Sequence, residues 1–339
     1  MTVMAREIGE QPQALARTLE SLLPLQPEIA DLAEGRRHLL FVARGSSDNA
    51  AIYGRYLCEV LAGRQASLAA PSVATHYRAD LDLSDTVSVA VSQSGETEEI
   101  VETQAWAAAH GARTVAITNV ADSSLARDSD LALVTQAGAE LAVPATKTYT
   151  TQLAAIAVLV DALSLPPLDF TRVAEEADRM LDVEVAPAAT TLAAARDTLV
   201  TGRGITYGTA LEVALKLEET CLRPVRGLSY ADLKHGPIAV VEAEVAVVLV
   251  AAPDGPTVEG MTQLAATVRA RHATVVGIGG DAAFAEQCDV ALAGPALPEA
   301  LAPLALVIPG QVMVEALARR LGLDPDSPRG LSKVTQTDR

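Results

Sequence analysis

Short runs of consecutive apolar residues, each cut off by glycine, serine or proline and followed by a stretch with apolar residues at helical spacing, recur along the chain. Leu39–Val42 runs into Ala43-Arg44-Gly45-Ser46-Ser47, and a helix-like stretch continues to Leu61. Leu199-Val200-Thr201 runs into Gly202-Arg203-Gly204 in the same way, with a helix predicted through Leu222. About fifty residues after each Arg-Gly comes a second strand-to-loop step, at Val87 to Gly95 and at Val245 to Gly255. Third strands are predicted at Thr114 to Thr118 and Ala273 to Ile278, and fourth ones at Leu131 to Thr135 and Val290 to Leu292. Each half closes with an Ala/Leu-rich helix. Continuous β-branched strands alternating with helices read as parallel sheets covered on both faces. The pattern therefore predicts two tandem, doubly wound α/β sandwiches, over residues 36–165 and 190–325. Residues 1–35 read as a helical segment packing across the domains, with Gln13 to Leu23 apolar at helical spacing. Residues 326–339 hold too many turn-forming residues for a helix. A disordered terminus is the ordinary expectation there, and a tail that folds over a site and lends Lys333 is the sharper one.

The chemistry concentrates where strands hand over to helices. After Val89-Ala90-Val91 comes Ser92-Gln93-Ser94-Gly95-Glu96-Thr97, and a helix then begins. The first N–H groups of a helix have no intrahelical partner, and its dipole is positive there, so the geometry suits an anion, above all phosphate. Ser92, Ser94 and Thr97 add hydroxyls, and Gly95 lets the backbone approach closely. Ser94 and Thr97 could equally cap the following turn with no ligand at all. The matching loop of the second half, Ala252-Pro253-Asp254-Gly255-Pro256-Thr257, lacks donors at its prolines and carries a carboxylate that repels phosphate. One ligand site per pair of domains follows. In open parallel sheets ligands sit beyond the carboxyl ends of the strands, where Ser46, Ser47 and Ser92 to Thr97 fall.

The second half has a different asset. In Leu211-Glu212-Val213-Ala214-Leu215-Lys216-Leu217-Glu218-Glu219, residues Glu212, Lys216 and Glu219 share an arc of ~60° on one helix face. On a solvated helix this would be an ordinary Glu–Lys pair. The apolar neighbours and the nearby strand end argue instead for partly buried charges with perturbed protonation. Leu233-Lys234-His235-Gly236-Pro237 sets a histidine before a Gly-Pro turn, suited to proton shuttling near neutral pH. His38, His76, His110 and His272 have no comparable setting.

Composition narrows the choice. The 339 residues carry a net charge of −17 and only 3% aromatics, with Trp106 the single tryptophan. Neither nucleic acid nor an anionic membrane is an expected partner. A bound phosphate must then be held by local donors. Cys58, Cys221 and Cys288 form no C-x-x-C pair and no metal spacing, so reduced thiols, no metal and a cytoplasmic location are expected. The N-terminus lacks the apolar core of a signal peptide, and no apolar stretch is long enough to span a bilayer.

Ser-Gln-Ser-Gly-Glu-Thr at 92–97, Ala-Thr-Lys at 145–147, Glu-x-x-x-Lys-x-x-Glu at 212–219, Lys-His-Gly-Pro at 234–237 and the lysine-bearing tail together resemble the sugar isomerase (SIS) family. The similarity runs from about residue 7 to the end, and is to the isomerase half of glucosamine-6-phosphate synthase. Gly45-Ser46-Ser47-Asp48, Ala70-Pro71-Ser72-Val73 and the tail Gly330–Thr337 look closer to the stand-alone, synthase-like glucosamine-6-phosphate deaminases. The isomerase-like part begins almost at Met1, so no glutaminase is expected. The resemblance implies that Ser46, Ser47, Ser92, Gln93, Ser94, Thr97, Val143 and Ala145 bind a sugar phosphate. It implies that Glu219 moves a proton between C1 and C2, Lys216 assists at the adjacent oxygen, and Lys333 closes over the open-chain sugar. His235, donated by the other subunit of a homodimer, would open the ring. No cofactor is implied. Two departures stand out: Ala145 replaces a serine near the sugar, and Asp232 replaces a glutamate before the His-Gly-Pro turn. The implied reaction converts D-glucosamine 6-phosphate and water to fructose 6-phosphate and ammonia. Dehydration of N-acetylglucosamine 6-phosphate or cleavage of a fructosamine phosphate would use the same acid–base set, and a non-catalytic sugar-phosphate sensor would need only the phosphate loop.

Overall fold

Among the described residues there are ten strands, the central ones forming because their residues are near-continuous apolar, β-branched runs, and every strand pairing is parallel. The computed structural model describes residues 1–333 and Gln336; Val334, Thr335, Thr337, Asp338 and Arg339, part of the tail motif read above, lie outside the described residues. In chain order the elements are α1 (Val3–Gly9), α2 (Gln11–Leu22), α3 (Gln26–Leu32), β1 (His38–Val42), α4 (Ser46–Val60), β2 (Gln65–Leu68), α5 (Ser72–Thr75), β3 (Thr86–Val91), α6 (Glu98–Ala109), β4 (Arg113–Thr118), α7 (Ser124–Arg127), β5 (Leu131–Val134) and α8 (Lys147–Asp161). They continue with α9 (Val173–Leu181), α10 (Ala186–Ala194), β6 (Asp197–Gly202), α11 (Tyr207–Cys221), β7 (Val225–Ser229), α12 (Tyr230–Lys234), β8 (Val245–Ala251), α13 (Val258–Ala270), β9 (Thr274–Gly279), α14 (Ala282–Glu286), β10 (Val290–Leu292) and α15 (Pro303–Arg320).

The two sheets repeat one plan. The first has the order β2-β1-β3-β4-β5 and the second β7-β6-β8-β9-β10. In both, the strand after the first helix turns back to the edge, so the order reverses beside the first strand; that reversal is the switch point at which open α/β sheets take ligands. β2 and β7 are strands additional to those read from the hydrophobic pattern. As edge strands they leave Gln65 and Arg226 open to solvent, and neither carries an apolar run.

The chain divides into two units. One comprises 13–140, 147–170 and Gln336, and holds the first sheet. The other comprises 1–12, 141–146 and 171–333, and holds the second. The helical N-terminal segment is thus shared out, α1 with the second sheet and α2 and α3 with the first. In the first-sheet unit, successive residues of β1 serve opposite faces. Phe41 lies against Gly54 of α4, while Val42 packs with Ala90, Ile100 of α6 and Leu125 of α7. In the second-sheet unit, Leu199, Val247, Leu249 and Val275 pack beneath Met261, Leu264 and Val268 of α13. Gly310 of α15 meets Val213 of α11 and Ile278 of β9 on the other side. No described helix is long and apolar enough to cross a membrane.

Candidate active site

In the first-sheet unit the switch point between β1 and β3 is built from two strand-to-helix turns. Gly45 takes φ +59 and leads into α4, placing Ser46 and the buried Ser47 at the start of that helix. Gly95 takes φ +66 in the loop between β3 and α6. A Cβ there would lie 2.2 Å from the Ser123 hydroxyl oxygen, so glycine is required both for its dihedral and for the close approach of the neighbouring turn. Ser92, buried, accepts the Gly95 N–H at 3.2 Å through its hydroxyl, and Ser94 Oγ accepts the Glu96 N–H at 3.2 Å. The Gln93 carbonyl accepts from Asn119 N at 3.1 Å and Thr118 Oγ1 at 3.3 Å, tying the loop to the end of β4.

Thr97 occupies the N-cap position of α6 without making a side-chain cap; its hydroxyl lies 3.5 Å from that of Ser92 instead. The capping alternative is therefore not what Thr97 does. The cap comes from the far end of the chain: Gln336 Oε1 accepts the Glu98 N–H at 3.1 Å, and its Nε2 donates to the Glu96 carbonyl at 3.4 Å. Ser46, Ser47, Ser92, Gln93, Ser94 and Thr97 thus all belong to the two turns at this switch point.

In the second-sheet unit, α11 follows the end of β6 and carries Glu212, Lys216 and Glu219 on one face. Glu212 is 0% exposed and Lys216 1%, while the Glu219 side chain is 26% exposed. Lys216 Nζ donates to Glu219 Oε2 and stands 3.5 Å from Glu212 Oε1. Burying Glu212 and Lys216 is tolerable only when their charges are compensated. A lysine held between a sealed carboxylate and a partly open one is positioned to trade protons with whatever meets Glu219. Among the described residues no group of three His, Cys, Asp or Glu side chains could hold a metal ion.

The loop 141–146, which carries Val143 and Ala145, is pinned in this same unit. The buried Glu7 carboxylate accepts the N–H groups of Leu141 at 2.5 Å and Ala142 at 3.2 Å. Val143 N donates to the Asp326 carbonyl at 2.9 Å, and the Asp326 carboxylate accepts the N–H groups of Val3 and Met4, each at 2.8 Å, at the start of α1. Lys333 Nζ donates to the Ala142 carbonyl at 2.7 Å. The tail up to Lys333 is therefore fastened into the unit, and Lys333 joins the Val143–Ala145 loop.

His235 is exposed at the end of α12 and makes no side-chain hydrogen bond to α11 among the described residues. Asp232, the departure before the His-Gly-Pro turn, is engaged at the start of α12: its N–H donates to Ser229 Oγ at 3.1 Å, and the Ser229 hydroxyl donates to its carboxylate at 2.6 Å. Ser229 thus caps α12 through its hydroxyl, and Asp232 fixes that hydroxyl in place.

The second sheet's own switch point carries negative charge, as its loop sequence implied. Asp254 accepts the Glu299 N–H at 2.7 Å, and the Glu299 carboxyl lies against Gly255. Burial, then the neighbouring Asp254, push the Glu299 carboxyl above its ordinary pKa, against the hydrogen bond from Thr257. Sequence reasoning missed Glu7, Asp326, Gln336 and the ion pair of Arg44 with Glu99. All four depend on chain-distant partners.

Comparisons with known proteins agree with this architecture. The model of the SIS domain matches residues 32–162 and 191–319. The glutamine–fructose-6-phosphate aminotransferase (isomerizing) of Methanothermobacter thermautotrophicus is 36% identical over 99% of this chain, which spans 57% of that relative's length. A crystal structure from Silicibacter pomeroyi DSS-3, named as a candidate phosphosugar isomerase, is 32% identical with a TM-score of 0.86, covering 96% of this chain and 100% of that one. Glucosamine-6-phosphate deaminase of Thermotoga maritima shares the fold, with a TM-score of 0.79 at 24% identity over 99% of this chain and 100% of that one. With two matched segments that coincide with its two sheets, this chain belongs to the SIS domain family.

Proposed function

We propose that the chain is an amino-sugar phosphate deaminase and isomerase, converting D-glucosamine 6-phosphate and water to fructose 6-phosphate and ammonia. The observation that carries this reading is the row on α11, in which Lys216 is buried between the sealed Glu212 and the partly open Glu219. An aldose–ketose interconversion needs one base to carry a proton between adjacent carbons and a cation beside the oxygen where charge develops. Glu219 takes the proton from C2 of the open-chain aldehyde and returns it to C1, and Lys216 balances charge at the C1 oxygen. The result is an imine at C2; water adds there, and ammonia leaves as the ketone forms. Ser46, Ser47, Ser92, Gln93, Ser94 and Thr97 hold the phosphoryl group and nearby hydroxyls, Val143 and Ala145 contact the sugar, and Lys333 covers it. His235 opens the ring from the partner subunit of a homodimer.

The aminotransferase of M. thermautotrophicus, by its name, combines amino transfer on fructose 6-phosphate with isomerisation, and the Thermotoga protein is named for deamination of glucosamine 6-phosphate. Both names fit proton transfer at C1 and C2 of an amino-sugar phosphate. Purified protein incubated with glucosamine 6-phosphate should release ammonia and fructose 6-phosphate in equal amounts. No turnover of that sugar, with loss of water from N-acetylglucosamine 6-phosphate or cleavage of a fructosamine phosphate seen by mass spectrometry, would reject the assignment. Binding without turnover of any of the three would point to a sensor.

A further inference from the structure

The loops that form the β1/β3 switch point pose an electrostatic problem. Between Arg44 and Asn49, and between Ser92 and Glu99, there are four carboxylates, Asp48, Glu96, Glu98 and Glu99, and one cation, Arg44. A phosphoryl dianion placed there meets repulsion from most of its charged neighbours. Glu96 is turned onto the α7 turn, accepting from Ser124 N at 2.8 Å and Ser124 Oγ at 2.9 Å. Glu98 is exposed and screened by solvent. Asp48 is half-buried: burial raises its carboxyl's pKa, and the charge of Arg44 opposes that. Glu99 is the deeper problem, because its side chain is only 8% exposed and water does little to screen it. Arg44 answers it with a 2.8 Å bond from Nη2 to Glu99 Oε1. That bond crosses from the end of β1 to the first turn of α6, the two walls of the switch point.

The pairing leaves the arginine only partly engaged. Among the described residues its other hydrogen bond is a long one, 3.3 Å from Nη1 to the Ala43 carbonyl; its charge also acts on the Asp48 carboxyl, and the side chain stays 43% exposed. A guanidinium carries five N–H donors in a rigid fork suited to phosphate oxygens. Most of that fork is therefore left over at the place where the chain has just delivered Ser46 and Ser47.

We propose that Arg44 is a substrate-binding cation that donates to the phosphoryl group, and that Glu99 is the residue that holds its guanidinium at the crevice while offsetting its charge. This rests on the reading above that the crevice takes a sugar phosphate, and it assigns the charge that the serines and threonine lack. It also makes a prediction of opposite sign for the two partners. If the pair were only a strut, removing either residue would loosen the loops and weaken binding alike. If Arg44 is a ligand for the anion, deleting the competing carboxylate should strengthen binding.

The test is calorimetric titration of the full chain with inorganic phosphate at low salt, together with KM and kcat for glucosamine 6-phosphate. Arg44→Met should weaken phosphate binding about tenfold, or about 1.4 kcal/mol, and raise KM with kcat nearly unchanged. Arg44→Lys should recover part of the loss. Glu99→Gln, which keeps a hydrogen-bonding group for the guanidinium, should tighten phosphate binding severalfold, and added salt should shrink both effects. Phosphate binding by Arg44→Met equal to wild type would overturn the proposal, and so would a Glu99→Gln variant weakened as much as Arg44→Met. In both of those cases a wild-type chain that binds phosphate leaves the sugar-phosphate reading standing. A wild-type chain that binds no phosphate, with Ser94→Ala making no difference, would overturn that reading and the role of Arg44 with it.

Discussion

Replacing Lys216 by methionine keeps most of the side chain's volume and removes its charge from a place where charge is hard to lose. The ammonium stands 3.5 Å from Glu212 Oε1 and hydrogen-bonds Glu219, with Glu212 sealed from solvent and Glu219 partly open. Removing one member of a buried ion pair costs about 3–5 kcal/mol, because the other charge loses its compensation. The Glu219 side is worth less, since exposed pairs contribute about 0–1 kcal/mol. Most of the penalty therefore belongs to Glu212, and about 3 kcal/mol is expected. For a unit of this size, that corresponds to a fall in melting temperature of roughly 6–12 °C. Differential scanning calorimetry at neutral pH measures it. The double variant Lys216→Met/Glu212→Gln should regain at least half of the loss, because it removes the stranded charge as well. A Lys216→Met protein melting within about 2 °C of wild type, or a double variant melting below the single, would refute the account of α11 as a mutually compensated buried row.

Four further outcomes are expected. Glu219→Gln should lower kcat on glucosamine 6-phosphate by about 10²–10⁴-fold, the usual worth of a general base, while calorimetric affinity for the sugar changes little; retained turnover would remove Glu219 from its role. Gly95→Ala must hold a Cβ at φ +66 and 2.2 Å from Ser123 Oγ, so denaturant titration should find it less stable by about 2–3 kcal/mol, with phosphate binding lost alongside. For Glu176, burial alone would raise the carboxyl's pKa, but the Ala296 N–H and the guanidinium groups of Arg179 and Arg172 outweigh it and hold the value below the ordinary 4.5. Its contribution is therefore present above that value and lost as pH falls through the lower folded one. Glu176→Gln should melt below wild type at neutral pH, with the gap closing in acid below pH 4.5. Burial pushes the thiols of Cys58, Cys221 and Cys288 up to about 12, so a thiol reagent at pH 8 should leave the native protein unlabelled and find all three after denaturation.

The strands in the middle of each sheet were legible because they are buried on both faces. Thr86–Val91 and Val245–Ala251 are apolar almost without interruption, and each ends in a loop that no helix or strand could continue. The two edge strands escaped notice for the converse reason. Gln65–Leu68 and Val225–Ser229 are covered on one side only, so half their positions are free to be polar and no run develops. The face of α11 could be read from its spacing alone, since three charges among leucines and valines at helical intervals fall on one side whatever surrounds them. Whether those charges were solvated or sealed was not written in the spacing; only the folded chain closes off Glu212 and Lys216 and leaves Glu219 partly open.

The candidate phosphate loop divides in the same manner. Its hydroxyls, its glycine and its position after a strand are local properties, and residue order suffices to recognise them. Which groups its helix leaves free depends on residues far away in the chain. Gln336 caps α6 across 238 positions, so Thr97 need not, and Glu99 anchors Arg44 across 55. Glu7 holds the Leu141 N–H across 134 in the same manner, and Asp326 the start of α1 across 323. Periodicity registers what a residue must be to sit on a strand or a helix face, because burial acts on each position separately. A hydrogen bond or an ion pair is a property of two positions at once. Folding alone brings them within hydrogen-bonding distance, and nothing in either residue's own neighbourhood announces its partner.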